Sequence, residues 1–162
     1  MKHIISALVE NKPGVLAHVA GMFAARAFNI DSLVVGRTED PNLSRMTIVV
    51  VGDDRVVEQV RKQLAKVVPV VKVQDFAGMP VVARDLMLIA ITAPPVKRPE
   101  ILSLIEMFKG KVVDISHKYI MVEISGPEEK IEAFIEVCRP YGIKSVARTG
   151  TIAMPRQVKT EE

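Results

Sequence analysis

Apolar and polar residues along the chain follow two rhythms, one of period two and one of period 3.6, and the sequence of rhythms occurs twice. His3 to Glu10 reads as a first strand, carried by Ile4-Ile5-Ser6-Ala7-Leu8-Val9. Leu16, Val19, Met22 and Phe23 then recur at spacings of three and four, which predicts an amphipathic helix with those residues on its inner stripe, ending near Phe28-Asn29. Ile30 to Arg37, rich in β-branched residues, predicts a second strand. Thr38-Glu39-Asp40-Pro41-Asn42 is a loop by composition, and Arg45 to Val51 a third strand. Gly52-Asp53-Asp54 supplies an N-cap for a helix with Val57, Val60, Leu64 and Val67 along one face, stopped by Pro69. Val71 to Gln74 alternates apolar and polar, as in a sheet covered on one face. The order β-α-β-β-α-β is the ferredoxin-like plan, four antiparallel strands under two helices.

Phe76-Ala77-Gly78-Met79-Pro80 interrupts the pattern as a connector, after which the same order begins again. Leu86 to Thr92 predicts a strand, and Pro99 to Gly110 a helix with Ile101, Leu104, Ile105 and Phe108 inward. Val112 to Ser116 and Tyr119 to Ser125 are strands joined at His117-Lys118. Gly126-Pro127-Glu128-Glu129 opens a helix with proline and acids where its dipole favours them, followed by Ile131, Phe134, Ile135 and Cys138 on one face. Ile143 to Thr149 closes the second copy, and the polar tail from Pro155 to Glu162 is expected to fray. The fold class expected is α+β, two ferredoxin-like βαββαβ units at residues 1–77 and 78–162.

Composition narrows the function. Apolar residues make up 49% and charged residues 25% of 162 residues, a globular balance. No apolar run reaches the roughly 18 residues that span a bilayer. The first residues enter strand pattern without a signal-peptide layout, and the lone Cys138 excludes an internal disulfide framework. A cytoplasmic protein is expected. The net charge of +3 is spread evenly, with 10 Lys+Arg against 8 Asp+Glu in residues 1–77 and 12 against 11 in residues 78–162. Without a basic patch, and with aromatics at 4%, nucleic acid is not the expected partner.

Catalytic constellations are not apparent. His3, His18 and His117 fall on a strand start, a helix and a turn, with no carboxylate or cysteine at ligand spacing, so no metal site is expected. Cys138 sits on an apolar helical stripe, as a small hydrophobe would. Asp53-Asp54 could form an acid–base pair, but their place before a helix fits capping better. What remains is Asn11-Lys12-Pro13-Gly14-Val15-Leu16, between the first strand and the first helix. Pro13 suits a first helical turn, and Gly14 takes away a side chain where a ligand could approach free amides. Open amides with partial positive charge suit an anion such as a carboxylate, although a turn of this composition can also bind nothing. The second copy has Pro94-Pro95-Val96-Lys97-Arg98-Pro99 there instead, longer, stiffer and without the glycine.

Three segments at matching separations, Asn11 to Leu16, Phe28-Asn29-Ile30-Asp31-Ser32-Leu33 and Asn42-Leu43-Ser44-Arg45-Met46-Thr47-Ile48, make residues 4–75 resemble an ACT domain, the ferredoxin-like amino-acid-sensing module. With the second unit, an ACT-like domain, the whole chain resembles the small regulatory subunits of acetolactate synthases (acetohydroxyacid synthases). One departure is Ala27, where the family commonly has glycine. The resemblance implies a non-catalytic chain without cofactors. Its partner would be a large catalytic subunit carrying thiamine diphosphate, FAD and Mg²⁺, which it activates and makes sensitive to a branched-chain amino acid, chiefly valine. It further implies a homodimer through ACT domains, with the effector between them. Asn11, Gly14, Val15 and Leu16 would hold the effector carboxylate, and Asn29 and Ile30 of the neighbouring copy its ammonium and side chain. A tandem ACT sensor acting on another target is the alternative.

Overall fold

The computed structural model describes residues 1–157. The chain divides into two compact units, Met1–Val82 together with the segment from Thr151, and Ala83–Gly150. In the first, β1 (Lys2–Glu10), α1 (Val15–Ala25), β2 (Ile30–Arg37), β3 (Leu43–Val51), α2 (Asp54–Ala65) and β4 (Val70–Asp75) follow the predicted order. Their strands lie in the order β2-β3-β1-β4, every pair antiparallel. Ile5, Ala7 and Val9 of β1 and Met46, Ile48 and Val50 of β3 meet Val15, Val19, Met22 and Phe23 of α1 and Val57, Val60 and Leu64 of α2 in one core. At about 25 cal/mol per Å² of apolar surface, this burial drives the unit's folding.

The second part repeats the plan with β5 (Val81–Thr92), α3 (Arg98–Met107), β6 (Lys111–Ile115), β7 (Tyr119–Gly126), α4 (Glu128–Cys138) and β8 (Ile143–Arg148), strand order β6-β7-β5-β8. Met87, Ile89 and Ile91 alternate inward along β5 and pack with Ile101, Ile105, Ile131 and Phe134. The expected α+β class with two βαββαβ units is the observed one.

Three details differ from the pattern reading. Leu16 is 46% exposed, and the inner stripe of α1 begins instead at the buried Val15. Gly14 is the N-cap, so the helix starts one residue before Leu16 and Val15, Val19, Met22 and Phe23 share the core face. β5 begins at Val81 rather than Leu86, directly after the Phe76–Pro80 connector. A ninth strand, β9 (Ile152–Pro155), pairs with β5, and the Arg156 amide donates to Pro80 O at 2.8 Å. Of the tail expected to fray, Pro155 closes β9, while residues 158–162 lie outside the described part.

Candidate functional site

The β1–α1 turn is built to leave amides open. Gly14 has φ +84°, the left-handed region that glycine enters without strain, and its side-chain position faces open space with nothing within 4 Å. No side chain caps α1. The Val15 amide reaches Lys12 O only at 3.5 Å, and the first full helical bond runs from His18 N to Gly14 O at 3.0 Å. The Leu16 and Ala17 amides therefore have no carbonyl partner among the described residues. The α1 dipole points its positive end at the same opening, and no acidic residue occupies the first turn.

Asn11 braces the turn. Its backbone N–H donates to Asn42 O at 2.7 Å and its side-chain amide to Pro41 O at 3.0 Å, which ties the turn to the β2–β3 loop. One side-chain N–H and the carbonyl oxygen remain for a ligand. The Val15 side chain is buried in the core, so only its backbone faces the opening, whereas the half-exposed Leu16 side chain is available there.

Asn29 and Ile30 are elsewhere. β1 and β2 both run antiparallel to β3, with Glu10 opposite Leu43 and Ile30 opposite Val50. The turn and the Asn29–Ile30 pair thus sit at opposite ends of the same sheet, roughly 23 Å apart along β3 at about 3.3 Å per residue. One copy does not bring the six residues together. Asn29 is exposed, Ile30 is half-buried against the core, and both stand at the start of an edge strand whose outer side has no partner strand among the described residues.

The equivalent loop of the second unit is closed by its own side chain. Arg98 donates from Nε to Ala93 O at 3.0 Å and from Nη2 to Ser116 O, filling the space before α3. Asp53 caps α2 by accepting from Val56 N at 3.0 Å, as its position predicts. Cys138 is buried in the second core, and burial pushes its thiol up to about 11.

Two family models match consecutive parts of the chain, the ACT domain of the AHAS small subunit over residues 5–72 and the small subunit of acetolactate synthase over residues 84–157. A probable acetolactate synthase small subunit from Archaeoglobus fulgidus is 55% identical over 156 residues, covering 96% of this chain and 98% of that one. The acetolactate synthase small subunit of Bacillus subtilis is 46% identical over 96% of this chain and 91% of its own length. The chain belongs to the acetolactate synthase small-subunit family. A crystal structure of the small subunit from Thermotoga maritima matches 98% of this chain and 99% of that one, with a TM-score of 0.90 and 42% identity.

Within this family's frame, Ala27 gains a physical meaning that its spacing did not reveal. Ala27 has φ +53°, a left-handed backbone that a glycine would hold without strain. Phe28 N donates to Phe23 O at 3.1 Å and Ala27 N to Ala24 O at 3.2 Å, the Schellman closure of α1, which aims the chain into Asn29 and Ile30.

Proposed function

We propose that this chain is the regulatory subunit of an acetolactate synthase. It binds and activates the large catalytic subunit, and makes that enzyme answer to a branched-chain amino acid, chiefly valine, held between two ACT domains. Thiamine diphosphate, FAD and Mg²⁺ belong to the catalytic subunit in this reading. One observation carries the effector site. The open-amide turn and the Asn29–Ile30 pair lie at opposite ends of a sheet whose β2 edge is free. Two copies pairing their β2 edges antiparallel about a two-fold axis reverse one sheet against the other. Each turn then approaches Asn29 and Ile30 of the partner subunit, which gives two equal sites. The valine carboxylate takes the Leu16 and Ala17 amides and the α1 dipole, with Asn11 and Gly14 shaping the entrance. The ammonium meets Asn29 of the partner subunit, and the apolar side chain lies by Leu16 and Ile30 of the partner subunit.

Inhibition follows if valine binds one arrangement of the dimer better than another, since a ligand shifts two states only by its differential affinity. A coupling of about 1–3 kcal/mol is ordinary for such linkage. The test compares Gly14→Asp with Gly14→Asn. Both side chains tolerate the left-handed backbone, but only the aspartate sets a carboxylate against the effector's own. Each variant is expected to activate the catalytic subunit, with valine inhibition abolished in the first and retained in part in the second. Normal valine inhibition of Gly14→Asp would sink the site. A wild-type chain that binds an amino acid yet does not raise the activity of an acetolactate synthase catalytic subunit would favour the free-standing sensor instead.

A further inference from the structure

The loop between β2 and β3 is built more firmly than its composition suggests. It follows Arg37, which faces Ser44, so it lies at the same end of the sheet as the β1–α1 turn, where Glu10 faces Leu43. Asp40 is half-buried at its centre. Its Oδ1 accepts from the Asn42 amide at 2.9 Å and from Asn42 Nδ2 at 3.1 Å. A carboxylate that takes the amide two residues on closes an Asx turn. The Asp40 backbone is held as well. Its carbonyl accepts from Thr38 Oγ1 at 3.0 Å and from the Leu43 amide at 3.0 Å, and its amide donates to Thr38 Oγ1 at 3.1 Å.

What this turn presents is the pair of carbonyls that follows Asp40, and both accept from Asn11. Asn42 O takes the Asn11 backbone N–H, which prolongs the pairing of β1 with β3 by one step. Pro41 O takes Asn11 Nδ2, a bond that belongs to no ladder and joins residues 30 positions apart. The Asn11 side chain is exposed, so water satisfies its amide equally well and burial does not demand the contact. Its effect is orientation. A carbonyl oxygen accepts from the amide nitrogen and not from the amide oxygen, so Pro41 O decides which way round the Asn11 side chain sits. The Asn11 oxygen and second N–H are then held in one arrangement before any ligand arrives.

We propose that Asp40 is a positioning residue of the effector site: it fixes the Pro41 and Asn42 carbonyls and, through them, the Asn11 amide that meets the amino-acid ligand. This role rests on the effector site proposed above and extends it to a residue that does not itself touch the ligand. Ordering Asn11 in advance spares that cost at binding, so the loss of Asp40 weakens the ligand without removing any contact to it.

The test measures valine inhibition of the catalytic subunit reconstituted with the full regulatory chain, as wild type, Asp40→Ala, Asp40→Asn, Asn11→Ala and the double variant Asp40→Ala with Asn11→Ala. Asp40→Ala is expected to raise the valine concentration for half-maximal inhibition about fivefold while still activating the enzyme. Asp40→Asn keeps an acceptor oxygen for Asn42 and should stay within about twofold of the wild type. Because Asp40 acts through Asn11, its replacement in the Asn11→Ala background should add less than about twofold, whereas a general loosening of the loop would add in full. Thr38→Val, which removes the hydroxyl bonded to Asp40, is an independent arm expected to shift valine in the same direction by about threefold, and it decides the matter if Asp40→Ala does not fold. Gly14→Asp is run alongside. If it abolishes inhibition while Asp40→Ala and Thr38→Val respond to valine as the wild type does, the role of Asp40 is overturned and the site stands. Equal losses in Asp40→Asn and Asp40→Ala, or full additivity with Asn11→Ala, overturn it too. If Gly14→Asp is inhibited normally, the effector site falls, and the role of Asp40 with it.

Discussion

Asp85 is 2% exposed, yet it is a fully satisfied carboxylate. It accepts from Arg148 Nε at 2.9 Å and from Arg148 Nη2, from Thr149 Oγ1 at 3.2 Å and from Gly150 N at 3.2 Å. Arg148 in turn reaches Glu132 at 2.6 Å. The cluster ties β5 to the end of β8 and to α4 inside the second unit. Asp85→Asn keeps the shape but removes the charge that Arg148 faces and turns one acceptor into a donor. Because the Arg148 side chain is 31% exposed and partly hydrated, the cost is expected at about 1–3 kcal/mol rather than the larger loss of a fully buried pair. Urea unfolding of the variant measures it, and Arg148→Met combined with Asp85→Asn should cost less than the sum of the two single changes. None of this was readable from the sequence, where Asp85 is a single acid just before the strand expected from Leu86 and its partners are more than 60 positions away. Asp53 was readable, because a cap needs only the three residues that follow it.

At the scale of elements, α1 and α3 end alike in the two copies. In α3, Gly110 N donates to Ile105 O at 2.8 Å and Lys109 N to Glu106 O at 3.0 Å, with Lys109 at φ +55°. In both helices a residue with a side chain holds the left-handed position that glycine fills most cheaply. Ala27→Gly is therefore expected to stabilise the first unit by about 1 kcal/mol, and Lys109→Gly the second by a similar amount. Chemical denaturation with separate probes of the two units checks both, and a destabilised Ala27→Gly would show that the Schellman closure is not the constraint at this position. The helix ends also mark where the pattern reading stops. Both βαββαβ plans were legible because strand alternation and helical stripes are local periodicities. The start of α1 was misplaced, because Pro13, expected in the first helical turn, precedes the N-cap Gly14, and the inner stripe begins at Val15, since Val15, Val19, Met22 and Phe23 are as periodic as the set that begins at Leu16. β9 was missed because its four residues form a strand only by pairing with β5, so nothing in Ile152 to Pro155 announces it.

For the whole molecule, the residues Asn11, Gly14, Val15, Leu16, Asn29 and Ile30 could be named from motifs, but their division between opposite ends of one sheet follows only from strand register. That division makes the proposed site a property of two chains, and it has a thermodynamic consequence. An effector bound only across the β2 edges stabilises the dimer and not the separated chain, so its effect must depend on protein concentration as well as on its own. At 100 times its dissociation constant, valine is expected to add about 2.7 kcal/mol per site to the assembled form. Val35 lies on β2 and is 41% exposed, so a lysine there can reach solvent while placing charge on the edge that would pair. Val35→Lys should shift sedimentation from dimer to monomer at micromolar concentration and raise the valine concentration needed for half-maximal inhibition by at least tenfold. Its melting temperature should lose most of the valine-dependent increase seen in the wild type. A Val35→Lys chain that sediments as the wild type and keeps its valine response would place the subunit contact somewhere other than β2. The two halves of the effector site would then have no route to meet, because within one chain the sheet holds them apart.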